Sequence, residues 1–293
     1  MGNEAGLADI LQQALQTRTA VGKLTDDYPL DLAGAYRVQR LGIDRRVARG
    51  ERIVGVKMGF TSKAKMAQMG VDDVIWGILT DTMAVPGAGG NGGDTTQSGP
   101  YDLSGLIHPK VEPEIVFRLG RRVESTDDVE SAVDAVAVGY EVLDSRFENY
   151  KFTLPDVVAD NASAAGFGIG EWHAVTAQAA KPAQAAEPAQ AAEPTQAAAP
   201  ASRRPDISDL PVTLAVDGQS ARTASTAAIL GDPWESLRAA ARLATQAGLP
   251  LEAGWIVLAG GITEAVPLTP GAVVTVTAET LGAAELRCAP TTR

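Results

Sequence analysis

Residues 111–119 most narrowly limit how this chain can fold. The segment reads VEPEIVFRL, and its β-branched and aromatic residues call for a well-buried strand, yet two positions are glutamates. Residues two apart on a strand share a face, so Glu112 and Glu114 point the same way. Ionised carboxylates side by side in apolar surroundings repel each other and lose hydration at large cost. Two arrangements resolve the conflict. The strand is a solvent-facing edge, which Pro113 suits, or a hard divalent cation with oxygen ligands compensates the pair. Spacing by itself leaves both open.

A second apolar segment, AVAVGYEVLDSR at 135–146, carries Glu141 and ends in the polar run Asp144-Ser145-Arg146. Alone, Glu141 could be a salt-bridged core residue; beside the other two carboxylates it becomes a third metal ligand. Lys57 lies in IVGVKMGFTS at 53–62, with Gly55 and Gly59 two residues away on either side. A lysine so flanked suggests close approach of a ligand, the alternative being an edge lysine that snorkels to water.

Apolar positions recur at helical spacing over 3–22 and 30–49, and a strand follows at 53–58 before a helical run at 63–69. Residues 1–85 therefore read as a helical N-terminal region wrapped around one or two strands, and 86–293 as a β-rich catalytic domain. Strands are expected at 111–119, 135–143, 166–169, 212–216, 255–258 and 273–279. Helical patches are expected near 129–133 and over 233–247, the latter opened by Asp232 as cap and Pro233 at the first helical position. The stretch PGAGGNGGDTTQSGP at 86–100 runs into another strand-like segment rather than a helix, so it reads as a flexible surface loop or lid and not a phosphate cradle. Residues 177–200 form four tandem six-residue units with Pro in each. Pro breaks any long helix and little remains to bury, which predicts a disordered or extended insertion over 174–206, outside the chemistry.

The net charge of −11, with no dense Lys/Arg cluster, argues against a nucleic-acid surface. An acidic chain that handles anionic substrates must concentrate positive charge locally, through a metal or a few placed basic side chains. Cys288 is the single cysteine, which excludes an internal disulfide and a cysteine-type metal site and fits a reducing cytoplasm. No stretch approaches the apolar length of a membrane span, and the N-terminus lacks a signal-peptide pattern. The expectation is a soluble, cytoplasmic protein.

Four ordered motifs, VGVKMGFTSKAKM (54–66), LIHPKVEPEIVF (106–117), YEVLDSRFENYKFTLPDVVADNAS (140–163) and LAGGITEAVPL (258–268), resemble the fumarylacetoacetate hydrolase superfamily. More narrowly they are similar to its branch of 2-keto-4-pentenoate hydratases and 4-oxalocrotonate (2-oxo-3-hexenedioate) decarboxylases, with a lean to the decarboxylases. The resemblance covers the chain to about residue 285, apart from the repeat and part of the glycine-rich loop. It implies an α+β, mostly β fold: a mixed β-roll with a helical N-terminal region. It also implies Mg²⁺, or Mn²⁺ in its place, held by Glu112, Glu114 and Glu141.

The resemblance assigns chemistry to Lys57, Asp160 and Ser163, and contacts with a small 2-oxo dicarboxylate to Thr61, Ser62, Lys63, Arg146 and Asn161. Arg146, Lys63 and Lys151 are the candidates for the distal carboxylate. A homo-oligomer, and a complex with a partner hydratase, are further implications. The expected reaction is Mg²⁺-dependent decarboxylation of 2-oxo-3-hexenedioate to 2-hydroxypenta-2,4-dienoate, with hydration of a 2-hydroxydienoate as the rival. Hydrolysis of an acylpyruvate is less favoured because only two histidines, His108 and His173, could serve as its usual base. A non-catalytic homologue would have no need of so costly an acidic cluster. Glu279 departs from the pattern, which places an apolar residue there.

Overall fold

The computed structural model describes residues 4–63, 66–67, 70–86, 99–123, 125–175 and 205–291. The expected repeat at 177–200, most of the glycine-rich loop and part of the helical run at 63–69 lie outside the described residues.

Two amphipathic helices begin the chain, α1 (Glu4–Thr17) and α3 (Leu32–Ala48), joined through the single turn α2 (Leu24–Asp27). The Asp31 side chain accepts from the Gly34 amide and so caps α3. Apolar side chains of α1 and α3 pack with Val157 and Val158 of the short helix α5 (Leu154–Ala159), whose Thr153 and Asp156 form a reciprocal capping box. A further short turn, α4 (Val129–Ala132), precedes the long fourth strand. Helix α6 (Pro233–Ala247) begins and ends where expected: Asp232 caps Trp234, and Gly248 closes it in the left-handed conformation at φ 63°.

The large sheet runs β2 (Ile75–Thr80), β1 (Ile53–Gly59), β9 (Ile256–Leu258), β3 (Lys110–Leu119), β4 (Val133–Leu143), β5 (Ala164–Ile169). Two short strands extend it: β6 (His173–Ala174) on β4 and β10 (Val266–Pro267) on β3. The second sheet is β12 (Gly282–Arg287), β11 (Val273–Ala278), β7 (Pro211–Val216), β8 (Gln219–Ser225). Helices and strands contribute about equally. Because β1 pairs in parallel with β9 and antiparallel with β2, strands from either side of residue 85 share one sheet. Ala174 still pairs with Ala135, so the ladder reaches into the range expected of the insertion. Glu279 sits exposed beyond the end of β11, in the turn to β12, where no apolar side chain is required.

Pairing gives each face of the large sheet a different task. Val111, Ile115 and Phe117 of β3, Val136, Val138, Tyr140 and Val142 of β4, and Val56 and Met58 of β1 join the main core with the second sheet and α6. Phe117 meets Trp234 of α6 at a ring separation of 4.7 Å, and the Tyr140 hydroxyl donates to the Glu285 carbonyl of β12. The opposite face carries the charged residues.

The strand β3 is interior, not an edge, which removes the solvent-facing reading of Glu112 and Glu114. Pro113 is tolerated there for a local reason. Its carbonyl accepts from Ile262, so its missing N–H faces the irregular segment between β9 and β10. No ladder bond is lost toward β4.

Candidate metal centre

Glu112 stands directly opposite Glu141 in the antiparallel β3–β4 ladder, and opposed residues share a face. Glu114, two residues on, joins them. Lys57 reaches the same face across a longer path: it pairs with Leu258 of β9, which pairs with Val116 of β3. Strand β9 is only three residues long and turns away at Ala259, so the lysine and the three acids converge past its end.

The glycines after β9 make that convergence possible. A Cβ on Gly261 would stand 2.4 Å from the Glu112 carboxyl carbon. Gly260 has φ 113°, a conformation side chains rarely adopt, and a Cβ there would lie 2.0 Å from Thr61 Oγ1. The Gly260 amide donates to Glu114 Oε2. Gly55 is explained differently from the sequence expectation: a Cβ would meet the Ile256 carbonyl at 2.1 Å, so the close approach is by strand β9 and not by a ligand.

All three glutamates are at least 96 % buried, and one carboxylate oxygen from each lies within 4.8 Å of the others. Lys57 Nζ, also buried, is 2.9 Å from Glu141 Oε2 and donates to the Ala162 carbonyl at 3.1 Å. Glu114 Oε1 has no hydrogen-bond partner among the described residues. Burial first, and then the neighbouring Glu141 and Glu112 charges, push the Glu114 carboxyl well above the usual carboxylate range despite Lys57. The three carboxylates thus lie together beside the Lys57 ammonium. An all-oxygen, hard donor set with an unpartnered buried oxygen fits Mg²⁺ or Mn²⁺.

The cluster opens on a cavity of about 400 Å³. Lys57, Glu112 and Ser163 reach it directly; Lys110, Tyr150 and Phe152 line its other end. Ser163 Oγ is buried and has no hydrogen-bond partner among the described residues. Asn161, Ala162 and Ser163 have φ of 52°, 52° and 59°, three consecutive left-handed residues that present the Ala162 carbonyl to Lys57 and Ser163 to the cavity. Non-glycine residues rarely adopt that region, and such strain gathers at functional sites.

Other residues expected to touch substrate are directed elsewhere. The Asn161 amide is used by the backbone of β2, accepting from Ile78 N at 2.8 Å and donating to Ile78 O at 2.9 Å. Arg146 Nε donates to the Asp160 carboxylate, and its terminal nitrogens donate to the Asp144 and Asp160 carbonyls. Arg146, Asp160 and Asn161 line a separate small cavity beneath α1 and α3. Burial pushes the Asp160 carboxyl up to about 6, against the opposing pull of Arg146. Thr61 is buried against Gly260, Ser62 is half-buried, and Lys63 and Lys151 are exposed and off the cavity lining. Sequence reasoning passed over Lys110 and Tyr150. The signal for Lys110 was present, since it precedes Glu112 by two and therefore shares its face.

Residues 54–288 match the family described as fumarylacetoacetate (FAA) hydrolase, C-terminal. A 4-oxalocrotonate decarboxylase of Pseudomonas sp. is 42 % identical over 279 residues, covering 94 % of each chain. A 2-keto-4-pentenoate hydratase of Paraburkholderia xenovorans (strain LB400) is 32 % identical over 271 residues, covering 91 % of this chain and 87 % of its own. Among solved structures, 4-oxalocrotonate decarboxylase from Pseudomonas putida G7, complexed with magnesium and adipate, superposes with a TM-score of 0.80 at 35 % identity, over 98 % of this chain and 97 % of that one.

Proposed function

The chain belongs to the fumarylacetoacetate hydrolase family, and on that premise we propose that it is a Mg²⁺-dependent decarboxylase of 2-oxo-3-hexenedioate. The carrying observation is the group of three buried carboxylates with the buried Lys57 ammonium beside the cavity. Relatives named 4-oxalocrotonate decarboxylase at 35–42 % identity support the choice of reaction.

Glu112, Glu114 and Glu141 hold the metal, which when bound supplies Lewis acidity toward a 2-oxo acid. In the reaction the bond to the distal carboxylate breaks and CO₂ departs. The bond pair spreads through the conjugated chain to the 2-oxo oxygen, which takes a proton to give 2-hydroxypenta-2,4-dienoate. Lys57 places a fixed positive charge where that oxygen gains electron density, stabilising the transition state more than the ground state. Its hydrogen bond to the Ala162 carbonyl fixes the ammonium. Ser163 Oγ, turned into the cavity by the left-handed turn, orients the substrate or a water beside it. Asp160 acts through that turn: it anchors Arg146 and leaves proton handling to Lys57 and water.

Hydration of a 2-hydroxydienoate is the second reading, favoured by the hydratase relative. Purified protein with 2-oxo-3-hexenedioate and Mg²⁺ should release CO₂ and form the dienol without added hydratase. Absence of CO₂ together with turnover of 2-hydroxypenta-2,4-dienoate would establish the hydratase instead. The family resemblance further supports a homo-oligomer and a complex with a partner hydratase, which sedimentation of the two proteins together tests. A cytoplasmic location accords with the single, unpaired Cys288.

A further inference from the structure

We infer that Lys110, seated on the Tyr150 ring, recognises the distal carboxylate and makes the site selective for dicarboxylates. The inference rests on the decarboxylase reading and adds the residue that would select its substrate.

Lys110, Glu112 and Glu114 alternate along β3 and so form one row on the charged face. Two residues of strand separate Lys110 from Glu112 by about 7 Å, comparable to the reach of an extended six-carbon diacid. The cavity lining contains two cations among the described residues, Lys57 and Lys110. Lys57 is committed to Glu141 and the Ala162 carbonyl. Lys110 has no carboxylate within ion-pair distance among the described residues; its ammonium lies 3.9 Å from the Tyr150 ring centroid. An aromatic face holds a cation without neutralising it, which leaves the charge available to an anion.

The ring itself is built into position. The Tyr150 hydroxyl donates to the Leu143 and His108 carbonyls, at 3.0 and 3.2 Å, and His108 packs on the ring at 4.9 Å. Asn149 and Tyr150 have φ of 55° and 57°. Two successive left-handed non-glycine residues persist only where the surroundings over-determine them. Arg146, one of the three cations the sequence suggested for the distal carboxylate, is committed to Asp160 and two carbonyls outside this cavity.

The distal carboxylate is the group lost as CO₂, so its charge fades as the bond breaks. A cation that grips it stabilises the bound substrate more than the transition state. Lys110 therefore acts on KM and Lys57 on kcat.

The test uses two saturated ligands that differ only at the far end, 2-oxoadipate and 2-oxohexanoate, binding to the Mg²⁺-loaded protein by calorimetry. Wild type should bind the diacid at least tenfold more tightly. Lys110→Met should abolish that preference by weakening 2-oxoadipate alone, and Lys110→Arg should retain most of it. With 2-oxo-3-hexenedioate as substrate, Lys110→Met should raise KM about tenfold with kcat undiminished. Equal weakening of both ligands, an intact preference, or a fall in kcat without a rise in KM would each overturn the assignment. Lys110→Arg keeps the question decidable if Lys110→Met does not fold, because loss of diacid preference in a folded Lys110→Arg protein that still binds 2-oxohexanoate contradicts simple charge recognition. Failure of the decarboxylase reading is separate: wild type would then prefer 2-oxoadipate yet release no CO₂ from 2-oxo-3-hexenedioate.

Discussion

Two groups of buried charge lie on either side of the Asn161–Ser163 turn, and they are compensated in opposite ways. Arg146 and Asp160 satisfy each other: one guanidinium reaches a carboxylate and two carbonyls, and the Arg146 backbone amide adds a further bond to Asp160. Glu112, Glu114 and Glu141 instead crowd three buried carboxylates together beside Lys57, and Glu114 Oε1 has no hydrogen-bond partner among the described residues. Charge paired in the first way fixes a fold; carboxylates crowded together in the second way mark where a cation can bind. The turn between them couples scaffold to site, since Asn161 is pinned to β2 while Ala162 and Ser163 face Lys57 and the cavity.

If the first group is scaffold, Arg146→Met should strip Asp160 of its partner and destabilise the protein by about 3–5 kcal/mol, read from urea unfolding. Once folded, the variant should keep Mg²⁺ affinity close to wild type, and a large loss of affinity would break the contrast. Lys57→Met should do the reverse. With Mg²⁺ bound to compensate the carboxylates the fold should hold, while kcat falls on the order of 100- to 1000-fold, as when one oxyanion donor is removed; a kcat within threefold of wild type would remove Lys57 from the chemistry.

The pH dependence sharpens the comparison further. Asp160 has its folded pKa raised to about 6 from an ordinary 3.8. The folded state therefore holds the proton more tightly than the unfolded state between those values. Its favourable contribution is complete below the unfolded pKa and is lost as pH rises through about 6. At roughly 1.4 kcal/mol per pKa unit the change amounts to about 3 kcal/mol. The stability difference between wild type and Asp160→Asn should shift by most of that amount, about 2.4 kcal/mol, against wild type from pH 4 to pH 7, and a flat difference would contradict it. Smaller again is Gly261→Ala, whose added methyl must displace the Glu112 carboxylate. Mg²⁺ affinity should weaken about tenfold, or about 1.4 kcal/mol, with the apo fold retained.

The sequence shows the acidic pair directly, because period-two alternation within one strand is a local property. Whether that strand was an edge or interior depended on β9 and β10, which are far away in the chain. Glu141 is legible as a buried acid, but its place opposite Glu112 comes from register, which no local pattern encodes. Several strands escaped notice for physical reasons: β8 is largely exposed and polar, and β12 has no β-branched residues. The resemblance gives Arg146, Asp160 and Asn161 roles at the site. Their commitments run to one another and to β2 through a left-handed turn that only Gly would have announced. Lys110 shares the face of Glu112 by the same period of two, but its seat on Tyr150 depends on a ring forty residues away in the chain.

The central claim, that the cluster of three buried glutamates is a cation site, is tested most directly by thermal unfolding of wild type and Glu114→Gln, each with EDTA and with saturating Mg²⁺. Removing one buried charge should raise the unfolding temperature of the metal-free protein. Mg²⁺ should stabilise wild type, by about 2.7 kcal/mol at one hundred times its Kd, and leave Glu114→Gln almost unmoved. A metal-free Glu114→Gln less stable than wild type, together with a Mg²⁺ shift of wild-type size, would contradict the account.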